Sequence, residues 1–562
     1  MTPQQATGTI EEIGAQDHSV TSEYRIFGPP GTGKTTSLTR QIQRAVSRFG
    51  GDGVLVTSFS RAAAAELAGR DLPISGDRLG TLHSHCWHCL GGPEIAEANV
   101  ADWNRDNPHM ALTAKKKLGR LDGEEEDDDS GLAKDGDSLL QQLSRFRGMM
   151  TPELAWPMQI RSFARKWQEY KDANGLLDFT DLIDVSLRDV YTAPKSPSVI
   201  FADEAQDLNM MQLALLRKWG KRAEYFIVAG DDDQTIYSFA GASPEAMLNP
   251  DIPEDHKIIL KQSFRVPRAV HALAEKTIRQ VTIRQPKVYQ PRPEDGVLSR
   301  LATGGLNATE YGILKSAEEH LAAGQTVMFL ASCSYMLKPL IQVLRSHGIP
   351  FHNPYRRSNG FWNPLRFGKA ASTPSRVLAL LVGHPSACEL HRPWTEGDLA
   401  LWADMLASRG ILRPGAKTAL KRAMVDREAT VKYLDQTFEP GALESLMEAF
   451  DGDQAGLLKW WRDRLTAESL KRAEFPLEVA ARCGAPGLLE RPEVIVGTIH
   501  SVKGAEADVV YLFPDLSRAG DCQYQRCGPP RDSVVRLFYV GITRARHTLY
   551  ICPAETPRAI EI

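Results

Sequence analysis

Short β-branched apolar runs alternate with loops and amphipathic stretches along this chain, and the alternation predicts α/β units. Four segments carry the pattern. One runs from Tyr24 to about Leu90, and a second from about Asp178 to Arg268. The third covers Thr326 to Phe351, where QTVMFLAS precedes a helical pattern and GIPFHN closes it; the fourth begins at Glu493. Between them, the stretches from about Gly91 to Gly175 and from about Tyr355 to Pro492 read as mainly helical. Most of the tryptophans of the later stretch, Trp394, Trp402, Trp460 and Trp461, are expected in its core. No repeat at a solenoid period is visible. The closing run Leu537 to Ile551, LFYVGITRARHTLYI, reads as a strand-like segment carrying Arg544 and Arg546.

A length of 562 residues implies more than one domain. The net charge of −3 gives no global attraction to nucleic acid, so any such surface has to be a local basic and aromatic groove. The first residues, MTPQQATGTIEEIGAQ, lack the apolar segment of a secretory signal. Apolar runs such as Val377 to Val382 fall far short of the ~18 residues of a membrane span. Eight cysteines in so long a chain do not suggest a disulfide framework. A soluble, cytoplasmic protein is expected. Lys115 to Lys117 and the acidic run Glu124 to Asp129 read as solvated surface, because the acidic run lacks the glycine of a calcium loop.

The candidate chemistry starts after the first strand. Gly28, Pro29, Pro30, Gly31, Thr32, Gly33, Lys34 and Thr35 form a glycine-rich turn into a helix. Its backbone N–H groups can curl around phosphate oxygens, Lys34 sets a point charge on the β- and γ-phosphates, and the Thr35 hydroxyl can coordinate Mg2+. Alone, this pattern marks an NTPase or kinase. SVIFADEAQD is a buried strand ending in carboxylates: Asp203 would hold the magnesium and Glu204 would activate the attacking water. A third strand, Tyr225 to Gly230, ends in a polar tip where Gln234 could sense the γ-phosphate. Phosphoryl transfer also needs positive charge on its transition state, and Arg265 and Arg544 are the candidates.

Taken in order, these residues resemble the UvrD/Rep-like branch of superfamily I DNA helicases. VLVTSFSRAAAAEL from Val54, GTLHS from Gly80, LDFTDL from Leu177, DEAQD, GDDDQTIYSFAGA, QSFR, GTIHSVKGAE and FYVGITRA follow the family's motif order. The resemblance implies ATP with Mg2+ and a fold of two RecA-like P-loop NTPase lobes, each with a mainly helical insertion. The first lobe would comprise 1–90 and 176–275 around an insertion at 91–175; the second would comprise 276–354 and 493–562 around an insertion at 355–492. It further implies Glu506 on the ribose, Arg265 and Arg544 on the γ-phosphate, and a single-strand path lined by Phe59, Tyr237 and Phe239 with His83, Thr498 and His500. Lys503 in HSVKGAE, with YVGITRA, resembles the branch that moves 3′→5′. The implied partners are single-stranded and 3′-tailed duplex DNA, a protein of repair or replication, and no membrane, with the chain a monomer or weak oligomer.

This chain departs from the family pattern at several positions. No LNxxQ adenine-reading segment is recognisable, Gln16 being the nearest glutamine and too close to the turn. Thr36 stands where an arginine often packs on adenine, and Phe264 where a tyrosine commonly stacks. Phe239 replaces a tryptophan and Ala240 an arginine. A duplex-splitting hairpin usually follows FYVGITRA almost directly; here the sequence runs through Tyr550 to Ile562, so ATP-driven translocation is a firmer expectation than autonomous unwinding. The alternative is a translocase that strips proteins from single strands or drives a partner. His83, His85, Cys86, His88 and Cys89 include zinc-ligand types, but a helix pairs Cys86 with Cys89 without a second close pair.

Overall fold

The computed structural model describes residues 23–59, 61–70, 72–114, 134–302, 313–354, 371–423 and 426–562. Gln16, Lys115 to Lys117 and the acidic run Glu124 to Asp129 lie outside the described residues. The architecture is α/β, with two parallel sheets of six strands each. The chain divides into two compact units. One contains Met1–Leu301, Leu330–Cys333 and Thr498–Ile562; the other contains Ala302–Phe329 and Ser334–Gly497.

The strands are β1 (Glu23–Phe27), β2 (Val54–Ser58), β3 (Leu79–Thr81), β4 (Val199–Asp203), β5 (Tyr225–Gly230) and β6 (Lys257–Ile259), then β7 (Val297–Arg300), β8 (Val327–Ala331), β9 (Phe351–His352), β10 (Val494–Thr498), β11 (Ala507–Leu512) and β12 (Ala545–Ile551). In the first sheet the order is β3-β2-β4-β5-β1-β6, and every pairing is parallel. All residues of β1, β2 and β4 are buried; the apolar runs of β2 and β4 reflect that burial, whereas β1 buries Glu23 and Arg25 as an ion pair at 2.8 Å. Parallel pairing points the C-terminal tips of β4, β5 and β1 to one edge, the edge where ligands bind in open α/β sheets. Phe27 is in register with Gly230, and Ser58 with Asp203. In the second sheet β12 lies parallel between β7 and β11, and β9 pairs parallel with β10.

The closing run Leu537 to Ile551 is not one strand. Helix Pro529–Ile542 takes its first half, and β12 begins only at Ala545. Pro529 and Pro530 open the helix, where a missing N–H costs nothing. From Val534 to Ile542 every residue is buried, so this stretch has no solvent-facing side and its apolar run from Leu537 mimics a buried strand.

LDFTDL forms a helix start. Helix Phe179–Asp189 is N-capped by Asp178, whose carboxylate accepts from Asp181 N at 2.7 Å, while Asp181 accepts in return from Asp178 N at 2.8 Å. Lys171, fully buried, ion-pairs with both carboxylates, and Arg147 reaches Asp181 at 2.7 Å. Burial alone would raise the Asp178 carboxyl, but the charges of Arg147 and Lys171 hold it down at about 2. Lys171→Met leaves these carboxylates short of one cation and should cost about 3–5 kcal/mol of stability. Urea unfolding checks this, and a loss under ~1 kcal/mol would mean that Arg147 alone compensates the pair.

In the other unit Trp394, Trp402, Trp460 and Trp461 are core, as their pattern predicts. Trp402 and Trp461 are wholly buried, and Trp461 donates its indole N–H to the Trp402 carbonyl at 3.1 Å. Trp402 stacks on Phe438 at 5.7 Å between ring centres.

Candidate nucleotide and nucleic-acid site

The glycine-rich turn is held from both sides. Gly28 N donates to the Gly230 carbonyl at 2.9 Å, joining it to the tip of β5. Thr32 closes the turn by donating through its hydroxyl to the Pro29 carbonyl at 2.7 Å. Ser263 donates to the Pro30 carbonyl at 2.8 Å, and Phe264 N donates to the Gly31 carbonyl at 2.8 Å, so QSFR lies along the turn. At Gly31 φ is 72°, and a Cβ there would stand 2.4 Å from Arg265 Cβ. Only glycine meets both the backbone and the space. Thr35 and Thr36 open the helix Lys34–Phe49; Thr36 is exposed and accepts from Arg70 at 3.2 Å.

Lys34 ion-pairs with Glu204, and its ammonium lies 3.5 Å from Asp203 Oδ1. Burial opposes its charge, but Glu204 and Asp203 outweigh that and hold the ammonium above its usual range. Glu204 sits at φ 51°, left-handed backbone that a non-glycine residue adopts at a cost of about 1–3 kcal/mol, and strain of this kind clusters at functional sites. Burial would raise its carboxyl, but Lys34 and Lys503 bring it down to about 2. Asp203, in contrast, is pushed up by burial.

Asp203 Oδ1 is buried and accepts no hydrogen bond. A buried carboxylate oxygen beside the glycine-rich turn, faced only by the Lys34 ammonium at 3.5 Å, suits a hard divalent cation. Among the described residues no three His, Cys, Asp or Glu side chains form a metal-binding group. Mg2+ needs none, because it takes one or two protein oxygens and completes its shell with phosphate and water.

Gln234 donates its amide to Asp231 at 2.8 Å and accepts from Arg544 Nη2 at 3.4 Å. Arg544 is buried, its Nε donating to the Val540 carbonyl at 3.0 Å and Nη1 to the Ala505 carbonyl at 3.3 Å. Arg265 instead ion-pairs with Glu506, which Arg546 approaches at 3.6 Å. Phe264 is 59% exposed, leaving its ring face open. The structure thus brings Lys34, Asp203 and Glu204 into one group, Gln234 and Arg544 into a second, and Arg265 and Glu506 into a third.

Gln206 and Asp207 were given no role from sequence, and Lys503 was read only as a marker of the branch. Lys503 ion-pairs with Asp207, donates to the Gln234 carbonyl at 3.1 Å and lies 4.0 Å from Glu204. Its ammonium also stands 5.2 Å over the Tyr237 ring. Asp207, pushed up to about 6 by burial, is its counter-ion. Gln206 donates to Glu204 and accepts from Asp231 N at 3.0 Å. The tandem polar residues of DEAQD were the available signal for Gln206 and Asp207.

The aromatic residues form a row. Phe59 stacks on Tyr237 at 5.7 Å, Tyr237 meets Phe239 edge-on at 5.9 Å, and Phe239 meets His500 at 5.5 Å. The Tyr237 hydroxyl donates to the His500 carbonyl at 3.3 Å. Thr498 is buried, its hydroxyl accepting from Ser501 N at 3.1 Å. The His83 ring lies edge-on to Phe179 at 6.2 Å, and desolvation holds it neutral, at about 4. Cys86 is a buried core residue.

Two family models match this chain, and several known proteins are similar to it. The family model of the UvrD/REP helicase N-terminal domain matches residues 11–252, and that of the UvrD-like helicase C-terminal domain matches residues 493–552. The chain is similar to "ATP-dependent DNA helicase UvrD2" of Mycobacterium tuberculosis, 24% identical over 93% of this chain and 75% of that protein. "ATP-dependent DNA helicase UvrD1" of Mycobacterium leprae is 24% identical over 99% of this chain and 83% of its own length. For "DNA helicase II" of Escherichia coli the identity is 23%, over 96% and 83%.

Proposed function

From the premise that this chain belongs to the UvrD/Rep-like superfamily I helicases and is an ATP-dependent DNA helicase, we propose that it moves 3′→5′ along single-stranded DNA and separates 3′-tailed duplexes. ATP would lie on the glycine-rich turn Gly28 to Thr35, with Lys34 against the β- and γ-phosphates, Phe264 and Thr36 near the base and Glu506 at the ribose. Thr35 and Asp203 would hold Mg2+, which neutralises phosphate charge when bound. Glu204, ionised at working pH, takes the proton of the attacking water. Gln234 senses the γ-phosphate, and Arg265 and Arg544 supply charge to the transferring group. Arg265 leaves Glu506 to do so.

The observation that carries this reading is the contact of Lys503 and Gln234 with both halves of the machinery. Lys503 joins Asp207 and Glu204 to the Tyr237 ring, and Tyr237 belongs to the aromatic row. A change at the γ-phosphate can therefore reach the strand-binding face within a few side chains. Phe59, Tyr237, Phe239 and His500 would stack successive bases without reading sequence, and Thr498 and His83 would flank that path. Its setting would be the cytoplasm, with a protein partner in repair or replication; no helix among the described residues is long and apolar enough to cross a membrane.

Steady-state ATPase with and without poly-dT tests the activity, and translocation on strands labelled at either end tests the direction. Strong stimulation and signal change only at the 5′ end are expected. Absence of stimulation sinks the motor, and signal at the 3′ end reverses the direction. Tyr237→Ala removes the centre of the aromatic row and should weaken single-strand affinity by about 1–3 kcal/mol, read by fluorescence anisotropy.

A further inference from the structure

Three consecutive aspartates, Asp231, Asp232 and Asp233, are wholly buried. Burying carboxylates is costly unless cations pair with them. Lys287, itself wholly buried, ion-pairs with all three, at 2.9 Å from Asp231, at 2.9 Å from Asp233 and against Asp232. Arg284 adds a second cation, donating from Nε to Asp233 at 2.8 Å. Even so, burial leaves the Asp232 carboxyl up at about 6.

Asp231 uses its two oxygens differently. Oδ1 faces Lys287 at 2.9 Å, and Oδ2 accepts from the Gln234 amide at 2.8 Å. Gln234 in turn accepts from Arg544 at 3.4 Å. The residues after Lys287 touch the other arginine-bearing elements. The Tyr289 hydroxyl stands 3.4 Å from that of Tyr539, on the helix that leads to Arg544. Gln290 N donates to the Lys261 carbonyl at 2.7 Å, and Ser263 N donates to the Gln290 carbonyl at 2.8 Å, just before Arg265.

We propose that Lys287 is a positioning residue for ATP hydrolysis: it fixes Asp231 and, through Asp231, orients the Gln234 amide toward Arg544 and the nucleotide. Lys287 touches no substrate. An ammonium with three donors on a flexible stem can serve three carboxylates, whereas a planar guanidinium cannot place its fork among them in the same space. The proposal rests on the reading of Gln234 as γ-phosphate sensor.

The test is a double-mutant cycle on the full chain with Lys287→Met and Gln234→Ala, with kcat and KM for ATP and poly-dT affinity as readouts. Lys287→Met should lower kcat by at least ~10-fold, since small misplacement of a catalytic group costs up to ~10²-fold. KM and DNA affinity should stay within ~3-fold, and the loss should vanish in the Gln234→Ala background, because both changes act through one side chain. A loss that persists in that background, or a folded Lys287→Met protein with unchanged kcat, overturns the proposal. If Lys287→Met does not fold, Lys287→Arg takes its place, with a smaller loss expected that again vanishes without Gln234; an undiminished or absent loss is equally fatal. Should Gln234→Ala itself leave kcat unchanged, the sensor reading fails, a result distinct from failure at Lys287.

Discussion

Replacing Lys34 with alanine is expected to lower maximal ATP turnover by at least ~10²–10³-fold, the range seen when one preorganised donor to a developing charge is removed. Single-strand affinity should stay within ~3-fold, because the row of Phe59, Tyr237, Phe239 and His500 is held by contacts that do not involve Lys34. Two effects combine. The phosphates lose their point charge, and Glu204 and Asp203 lose the cation between them. Glu204 is held at about 2 against burial chiefly by Lys34, so its carboxyl rises in the variant. Lys34→Arg keeps the charge but swaps a compact ammonium for a planar fork, and should recover only part of the loss. Steady-state ATPase beside fluorescence anisotropy on the same preparations decides this; turnover within tenfold of the parent would sink the assignment.

Glu204→Gln should lower kcat by ~10²–10⁴-fold, the range for a positioned general base. The amide keeps the shape and can still face Lys34 and Gln206, so ATP affinity should persist or tighten once a negative charge leaves the phosphate site. Single-turnover hydrolysis and equilibrium binding of a fluorescent ATP analogue separate the two quantities. A variant that binds ATP weakly but hydrolyses it at the parental rate would remove Glu204 from the chemistry. Together the two substitutions tell phosphate binding from water activation, because the first removes the cradle's charge and the second only the proton acceptor.

Much of the site was legible locally. The turn Gly28 to Thr35 spells a tight strand-to-helix connection because closely spaced glycines act through local backbone geometry. SVIFAD announces a strand with carboxylates at its tip for the same reason. Leu537 to Ile551 was misleading because periodicity fails when an element is buried on every side. The apolar run that looked like strand is helix up to Ile542, and the polar break at Thr543 and Arg544 separates it from β12. Lys287 left no usable mark, and Lys503, which marked the branch, gave no sign of its contacts. Each is one lysine in a segment whose neighbours do not specify what it meets.

By itself, the sequence determined the chemistry of each loop and the α/β class, since apolar runs, glycines and capping residues act through near neighbours along the chain. Which loops meet was decided by the parallel order β4-β5-β1, which sets the tips of three distant segments on one edge. The tertiary structure alone set the charges: Glu204 at about 2 and Asp207 at about 6 are both carboxylates of DEAQD, and only burial and the reach of Lys34 and Lys503 tell them apart. Coulombic pairing depends on distance through space, and no spacing along the chain encodes that for residues nearly 300 positions apart.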